Sequence, residues 1–556
     1  MTGISDSKGA TFAQALLAHK ENENLALLFE EKSWSWSAFI DECSRRASLW
    51  QLMRDPEAPP HIGVLLDNVP DYLFWLGAGA LAGATIVGIN STYRGSELAR
   101  LINHTDCQVL VTEDRHRPLI DGLDLNLPAS HVLQIDEQPF CDALCDVSPT
   151  ITSETIDPQT LQLLIFTSGS TAAPKAVRCT QGRMARTGIH VAGIANLSKD
   201  DIVYPPLPLF HSSALFTGWS SAVHVGATMA IRRKFSASGF LSDVRRWGVT
   251  FVPYTGKVLQ YIMATGEDDD AADNTMRLAV GNEASLADIE GFARRFDCEV
   301  RDSYGSTEGL IIIRRSSDMP ALALGKGGEG VRVFDPETGV ETEDAEIGAR
   351  GRLINEDRAV GELVQIDPGQ SFEGYYRNPE ADRSRFRAGI FWSGDLAYRD
   401  ADDWIYFVGR DNDWIRVDGE NFASRSVERI VGQYGIVRTS AAYAVPDSVV
   451  GDRVMVAVEL HEGYSFDPAE FDLFLDNHPD LSPKWRPSFV RVVDALPVLA
   501  SLKVDKRMLR RQAWECGDPV WWRSSREGEL TLLDTNDVAA MSALLHRSDS
   551  STSSPV

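Results

Sequence analysis

Cysteine is scarce. Seven stand among 556 residues (Cys43, Cys107, Cys141, Cys145, Cys179, Cys298 and Cys516), an odd and scattered set. Cys141 and Cys145 have neither a second pair nor a neighbouring histidine, which argues against a zinc site. Reduced thiols and a cytoplasmic location are the expectation. Basic charge is short as well: 54 Lys and Arg face 80 Asp and Glu, a formal net charge of −26. That balance excludes a general nucleic-acid binder, whose surface must be basic. It does not exclude a small anionic ligand in a locally positive pocket. The opening MTGISDSKGATF lacks a basic stretch followed by an apolar run, so no secretory signal is expected. One uncharged run, Tyr72–Ile89, is long enough to suggest a membrane span. Its four glycines and β-branched end, TIVGI, fit a buried helix running into a buried strand better, and no span is expected.

What is present is ordinary for a globular chain, 43% hydrophobic and 24% charged. At this length several domains or subdomains are expected. Up to about residue 147, the apolar runs HIGVLL, TIVGIN, CQVLVTE and HVLQID alternate with helical patterns. Such alternation predicts α/β structure with a parallel sheet. It resumes with GVTFVPYTG, MRLAVGN and CEVRDSYGSTEG, and a glycine-rich, β-flavoured zone then runs from LGKGGEG to SFEGYY. Near Arg410 the text changes to a smaller unit, and the polar end SDSSTSSPV is expected to be disordered. The acidic run Glu267-Asp268-Asp269-Asp270 reads as a solvated loop, since nothing fixes the spacing of its carboxylates.

Four stretches carry chemistry. In LLIFTSGSTAAPKAV, Leu163 to Val177, hydroxyls, a glycine and Lys175 follow a probable strand. The bland reading is a linker; the chemical one is a phosphate-binding loop of hydroxyls and backbone N–H groups, with a lysine for charge. It is not a Walker loop, because Lys175 follows proline and no Ser or Thr follows it. In DSYGSTEG, Asp302 to Gly309, an aromatic face, a hydroxyl and a carboxylate lie within five residues, enough to stack a base, touch a phosphate and hold Mg²⁺, or simply to make a turn. Between Phe391 and Asn421, Asp395 and Arg410 are expected at strand ends, where an aspartate can accept both hydroxyls of a ribose or form a structural ion pair. In LPVLASLKVDKRMLRR, Lys503 sits in a proline-led loop before a basic helical stretch.

In this order the four stretches resemble the AMP-forming acyl-CoA synthetases of the adenylate-forming superfamily, which includes firefly luciferase and nonribosomal peptide adenylation domains. The resemblance runs from about Thr11 to Arg523. LPLFHSSALFTGW, RRKFSASGF, RLAVGN, DGEN and LKVDKRMLR look closest to the fatty acid transport protein and very-long-chain acyl-CoA synthetase branch. The resemblance implies a large N-terminal domain of α/β subdomains plus a β-rich subdomain over residues 1–411. A small mobile α+β domain would occupy 412–523 and a tail 524–556. It implies ATP and Mg²⁺ as cofactors, with CoA as co-substrate. A carboxylic acid is joined to AMP with release of pyrophosphate, and CoA then takes the acyl group.

By the same resemblance, Thr167, Ser168, Gly169, Ser170 and Thr171 with Lys175 form the loop over the β- and γ-phosphates. Tyr304 stacks on adenine, flanked by Gly281, Asn282 and Glu283, and Asp302 and Gly305 complete the nucleotide set. Thr307 touches the α-phosphate, Glu308 ligates Mg²⁺, and Asp395 and Arg410 fix the ribose. Lys503 bridges the attacking carboxylate and the α-phosphate. Its domain turns about Asn412 between half-reactions, and Arg416 and Gly419 then face CoA. His211, Tyr254 and Gly281 line the acyl pocket. His211 stands where amino-acid-activating relatives carry an aspartate, which disfavours amino acids; LFTGW and FVPYTG point to an apolar pocket for a fatty or sterol-derived acid.

Departures from the family are Ala172 in place of the usual glycine, Asn412 in place of Asp or Lys, and VLASL before Lys503. Two rival readings stay open: loading of a carrier protein instead of CoA, and a degenerate lipid binder. Peripheral membrane contact and a homodimer are also left open.

Overall fold

The computed structural model describes residues 9–149, 156–167, 175–266, 272–316, 318–320, 323–348, 353–368, 372–410, 414–417, 420–447, 451–478, 481–498, 504–525, 528–534, 537–538 and 541. Contacts divide the chain into two compact units, Met1–Ser317 with Asp367–Phe391, and Asp318–Ile366 with Trp392–Val556.

The first unit holds two sheets. One has six strands in the order Val132–Gln134, Val109–Thr112, His61–Leu65, Thr85–Gly88, Leu161–Thr167 and Lys175–Thr180. All its pairings are parallel except the last. Every apolar run read as a strand before residue 147 lies in it, and His61–Leu65 is buried along its whole length, as a central parallel strand must be. Helix Pro70–Ala82 feeds the sheet: Pro70 opens it, and Gly83, at φ +63°, closes it in the left-handed region. It is buried on nearly all sides and turns directly into Thr85–Gly88, which accounts for the uncharged run. No helix among the described residues is long and apolar enough to cross a membrane.

The second sheet of this unit runs Ile312–Arg314, Glu299–Gly305, Leu278–Asn282, Phe251–Thr255, Ile202–Val203, Thr228–Ile231, Leu25–Phe29 and Lys32–Ser35. Its six inner strands are parallel and its two outer pairings antiparallel. Late in the chain, residues 374–376 come back to this unit and lie along the edge strand Lys175–Thr180. Val177 pairs with Tyr375, Arg178 N–H donates to the Gly374 carbonyl at 3.0 Å, and Tyr376 N–H donates to the Ala176 carbonyl at 2.8 Å.

The antiparallel strands Ile390–Arg399 and Trp404–Arg410 place Asp395 opposite Arg410, both of them residues of the second unit. A seven-stranded sheet is built around Val437–Asp447 and Gly451–Leu460. One face packs Ile415, Phe422, Val427, Ile430 and Phe471; the other packs Tyr443, Met455, Phe489, Leu509 and Trp514. Helix Lys506–Gln512 is anchored through Lys506, whose ammonium donates to Ser424 Oγ and pairs with Glu428, both at 2.8 Å.

Candidate active site

Parallel strands carry the polar residues at their carboxyl ends, the usual place for a ligand in an α/β sheet. Phe251–Thr255, Leu278–Asn282 and Glu299–Gly305 register Tyr254, Gly281 and Asp302 side by side. The Tyr254 hydroxyl, fully buried, donates to Asp302 Oδ2 at 3.0 Å, and the Ala284 N–H donates to the same oxygen at 3.1 Å. Burial pushes the Asp302 carboxyl up to about 6, and these two hydrogen bonds only partly oppose it. Gly281 has no room for a side chain, because a Cβ there would strike the Tyr254 carbonyl and ring. The turn beyond it holds Glu283 at φ +66°, a left-handed conformation rare for a residue with a side chain. Tyr304 is half-buried on the next strand, opposite Ile313.

Past Gly305 the chain brings Thr307 and Glu308 towards two different partners. Thr307 Oγ1 shares a hydrogen bond with Ser212 Oγ at 3.0 Å, and its carbonyl accepts from the Arg183 guanidinium. Arg183 in turn lies over the Phe216 ring, 5.2 Å from its centroid. Phe216 belongs to a π-helical turn, Ala214–Trp219, directly after His211, whose Nδ1 accepts from the Ser213 N–H at 3.3 Å. The segment before it is pinned by Asn68, which donates to the Leu207 carbonyl at 3.0 Å and accepts from Leu209 N–H at 2.9 Å.

Glu308 Oε1 accepts from the Tyr375 hydroxyl at 2.6 Å. The Lys175 ammonium lies 6.0 Å from the centroid of the Tyr375 ring. Burial lowers the Lys175 pKa, Arg385 lowers it further, and Glu308 opposes both. Tyr375 is pushed well above the usual phenol range by burial and by the neighbouring Glu308 carboxylate, so it stays a neutral donor. Lys175 and Glu308 are therefore brought to one place by a tyrosine that the sequence reading had absorbed into a β-flavoured zone. Tyr375, Arg385, Arg183 and Ser212 were all missed. The available signal was GYYRNPE, an aromatic pair after glycine and directly before a helix start at Asn378.

In the second unit, Asp395 is buried, and Gly394 beside it has φ +72°. Arg410 and Arg416 are described as strand positions only, opposite Asp395 and Asn421. Ser168, Gly169, Ser170, Thr171, Ala172, Asn412, Gly419 and Lys503 lie outside the described residues, as do Glu267-Asp268-Asp269-Asp270 and the end of the tail.

A second cluster could hold a metal by its donor set: Asp67, Glu113 and His116, all buried, with one ligand atom of each within 4.8 Å of the others. Its charges are already answered. Arg115 pairs with Asp67 at 2.8 Å, Arg233 pairs with Glu113 at 2.5 Å, and His116 Nε2 lies 3.0 Å from Asp67. Burial raises the Asp67 carboxyl, but hydrogen bonds from His116 and Arg115 outweigh it and bring it down to about 2. This is a charge network tying the strand ends together.

Comparison with known proteins places these residues in context. A protein-family model described as AMP-binding enzyme matches residues 14–376. The chain is 44% identical over 514 residues to the steroid-22-oyl-CoA synthetase of Rhodococcus jostii (strain RHA1), covering 92% of each protein. It is 41% identical over 516 residues to the medium/long-chain-fatty-acid–CoA ligase FadD17 of Mycobacterium marinum (strain ATCC BAA-535 / M), covering 93% of this chain and 99% of that one. Among solved structures, the anthranilate CoA ligase AuaEII in complex with anthranoyl-AMP superposes with a TM-score of 0.79 at 20% identity, covering 91% and 98% of the two chains. ATP-bound MatB from Rhodopseudomonas palustris superposes with a TM-score of 0.78 at 22% identity, covering 91% and 99%.

Proposed function

From the premise that the chain belongs to the AMP-binding enzyme family and is an AMP-forming acyl-CoA synthetase, we propose the residues that do the work and the acids they work on. The enzyme uses ATP, Mg²⁺ and CoA: it activates a hydrophobic carboxylic acid as acyl-AMP, releases pyrophosphate and transfers the acyl group to CoA. The observation that carries the assignment of residues is the convergence of Lys175 and Glu308 on Tyr375. A lysine and a carboxylate gathered around one neutral phenol suit a magnesium–polyphosphate group, with Glu308 for the metal and Lys175 for the phosphate oxygens. A bound Mg²⁺ supplies charge neutralisation at the phosphates.

Thr167–Thr171 close over the same phosphates, Thr307 contacts the α-phosphate, and Tyr304 stacks on adenine above Gly281, Asn282 and Glu283. Asp302 sets that turn through Tyr254 and Ala284, while Asp395 and Arg410 hold the ribose. Lys503 draws the acid's carboxylate to the α-phosphate, since two anions approach only with a cation between them. The domain of residues 412–523 turns about Asn412, and Arg416 and Gly419 then face CoA.

His211, Tyr254 and the apolar turn at Ala214–Trp219 border the acyl pocket. Two acids lead the candidates: a steroid side-chain acid and a medium- or long-chain fatty acid, the substrates in the names of relatives at 44% and 41% identity. Seven unpaired thiols support a cytoplasmic location.

The test is pyrophosphate release across short, medium, long and very long fatty acids and a steroid side-chain acid, with and without CoA. Acid-dependent release with CoA consumption is expected, and Lys503→Ala should lower the adenylation rate about 10²–10³-fold. An unchanged rate in that variant would remove Lys503 from the assignment. Release without CoA consumption would favour a carrier-protein acceptor.

A further inference from the structure

Resting on the assignment of Lys175 and Glu308 above, we propose that Arg385 is a further binding residue for the pyrophosphate leaving group, and that Tyr375 is the positioning residue that orders both Arg385 and Glu308. The chain builds this corner deliberately. Asn378 caps helix Pro379–Arg385 by accepting from the Ala381 N–H at 3.0 Å, and Asp382 in its first turn accepts from the Tyr375 N–H at 2.8 Å. The helix and Tyr375 are thus one rigid piece, and Arg385 is the helix's last residue. Gly374, at φ +78°, makes the bend that lets Tyr375 lie along Val177 while the helix departs from the sheet.

The charges then converge. Tyr375 is 3% exposed, and its hydroxyl donates to Glu308 and is hydrogen-bonded by Arg385. Lys175, 5% exposed, stands over the same ring and feels Arg385 as a like charge. The Lys175 ammonium and the Arg385 guanidinium therefore share a partly buried corner with the Glu308 carboxylate at the Tyr375 hydroxyl and the Asp382 carboxylate at the Tyr375 N–H. Holding two cations together there is unfavourable unless an anion sits between them. A polyphosphate is such an anion, and its planar oxygen pairs suit a guanidinium better than a second ammonium. When the carboxylate oxygen bonds to the α-phosphorus, the bond to the bridging oxygen breaks and pyrophosphate leaves with the electron pair. Its added negative charge is what a cation on that side stabilises. A phenol suits the joint because it can accept from a guanidinium and donate to a carboxylate at once.

The experiment compares ATP, pyrophosphate and AMP in wild type, Arg385→Gln, Arg385→Lys, Tyr375→Phe and Lys175→Ala. AMP lacks the β- and γ-phosphates, so it reports the rest of the site. Arg385→Gln should raise the KM for ATP and the pyrophosphate inhibition constant about tenfold, the loss expected for one charge-assisted hydrogen bond. AMP affinity should be unchanged, and Arg385→Lys should recover part of the loss. Tyr375→Phe should raise the Mg²⁺ concentration giving half-maximal rate. Equal weakening of AMP and pyrophosphate would make Arg385 merely structural and overturn the proposal. Unchanged pyrophosphate inhibition in Arg385→Gln, with Lys175→Ala impaired, would overturn it while leaving the Lys175 assignment standing. Lys175→Ala without effect would overturn that assignment itself. Should Arg385→Gln not fold, Arg385→Lys against wild type carries the same comparison.

Discussion

Asp302 is held in two competing ways, by burial that resists its charge and by the Tyr254 hydroxyl and Ala284 N–H that favour it. Burial wins, and the carboxyl titrates near 6 in the folded chain against 3.8 ordinarily. The sign follows from proton counting. Between those values the folded chain holds a proton that the unfolded chain has released, so the contribution to stability is fully present below about pH 4 and is lost as the pH rises through 6. The two limits differ by roughly 3 kcal/mol. The stability of wild type minus that of Asp302→Asn, from urea unfolding, should therefore fall between pH 4 and pH 7, the neutral amide having no such titration. A difference that stays flat over that range would show that burial does not govern this carboxyl. Tyr254, Gly281 and Asp302 entered the expected site through the family resemblance, and the strand register sets them side by side. The wedge of Gly281 under the Tyr254 carbonyl was not legible in the sequence, since a close approach between two backbones leaves no trace in either segment's own periodicity.

Among the elements, the strand Lys175–Thr180 depends on what covers it. Glu373 clamps its far end, accepting from the Thr180 N–H at 2.8 Å and the Thr180 hydroxyl at 2.7 Å. Glu373→Ala leaves that buried N–H unmatched and should cost about 1–3 kcal/mol, read from the urea midpoint. It should also raise the KM for ATP, because Tyr375 lies two residues on. An unchanged midpoint would mean that the pairing of residues 374–376 with the strand holds without the clamp. The strands themselves were readable in HIGVLL, TIVGIN and GVTFVPYTG, whose continuous apolar character is what a parallel sheet with both faces covered requires. The return of residues 374–376 was not readable. Three residues adding to an edge nearly two hundred positions earlier carry neither an apolar run nor an alternation, and Tyr375 and Arg385 were missed with them.

At the scale of the whole molecule, the proposed turn about Asn412 separates two half-reactions by geometry. Asn412→Pro, which narrows the backbone angles there, should slow CoA consumption more than pyrophosphate release in a single turnover. Trypsin cleavage after Arg410 should likewise change in rate when ATP and acid are added; identical rates in both effects would sink the hinge. The cover of residues 374–376 over the Lys175–Thr180 edge has one more consequence, and it concerns synthesis. The six strands of that sheet have all been synthesised once Thr180 is made, but their cover has not. At 5–20 residues per second the nascent chain waits about 10–40 s for residues 374–376. Through that interval an open strand edge, with Lys175 at its head, is available to any passing extended peptide, and a chaperone that binds there would have to let go before the corner of Lys175, Glu308 and Tyr375 could close.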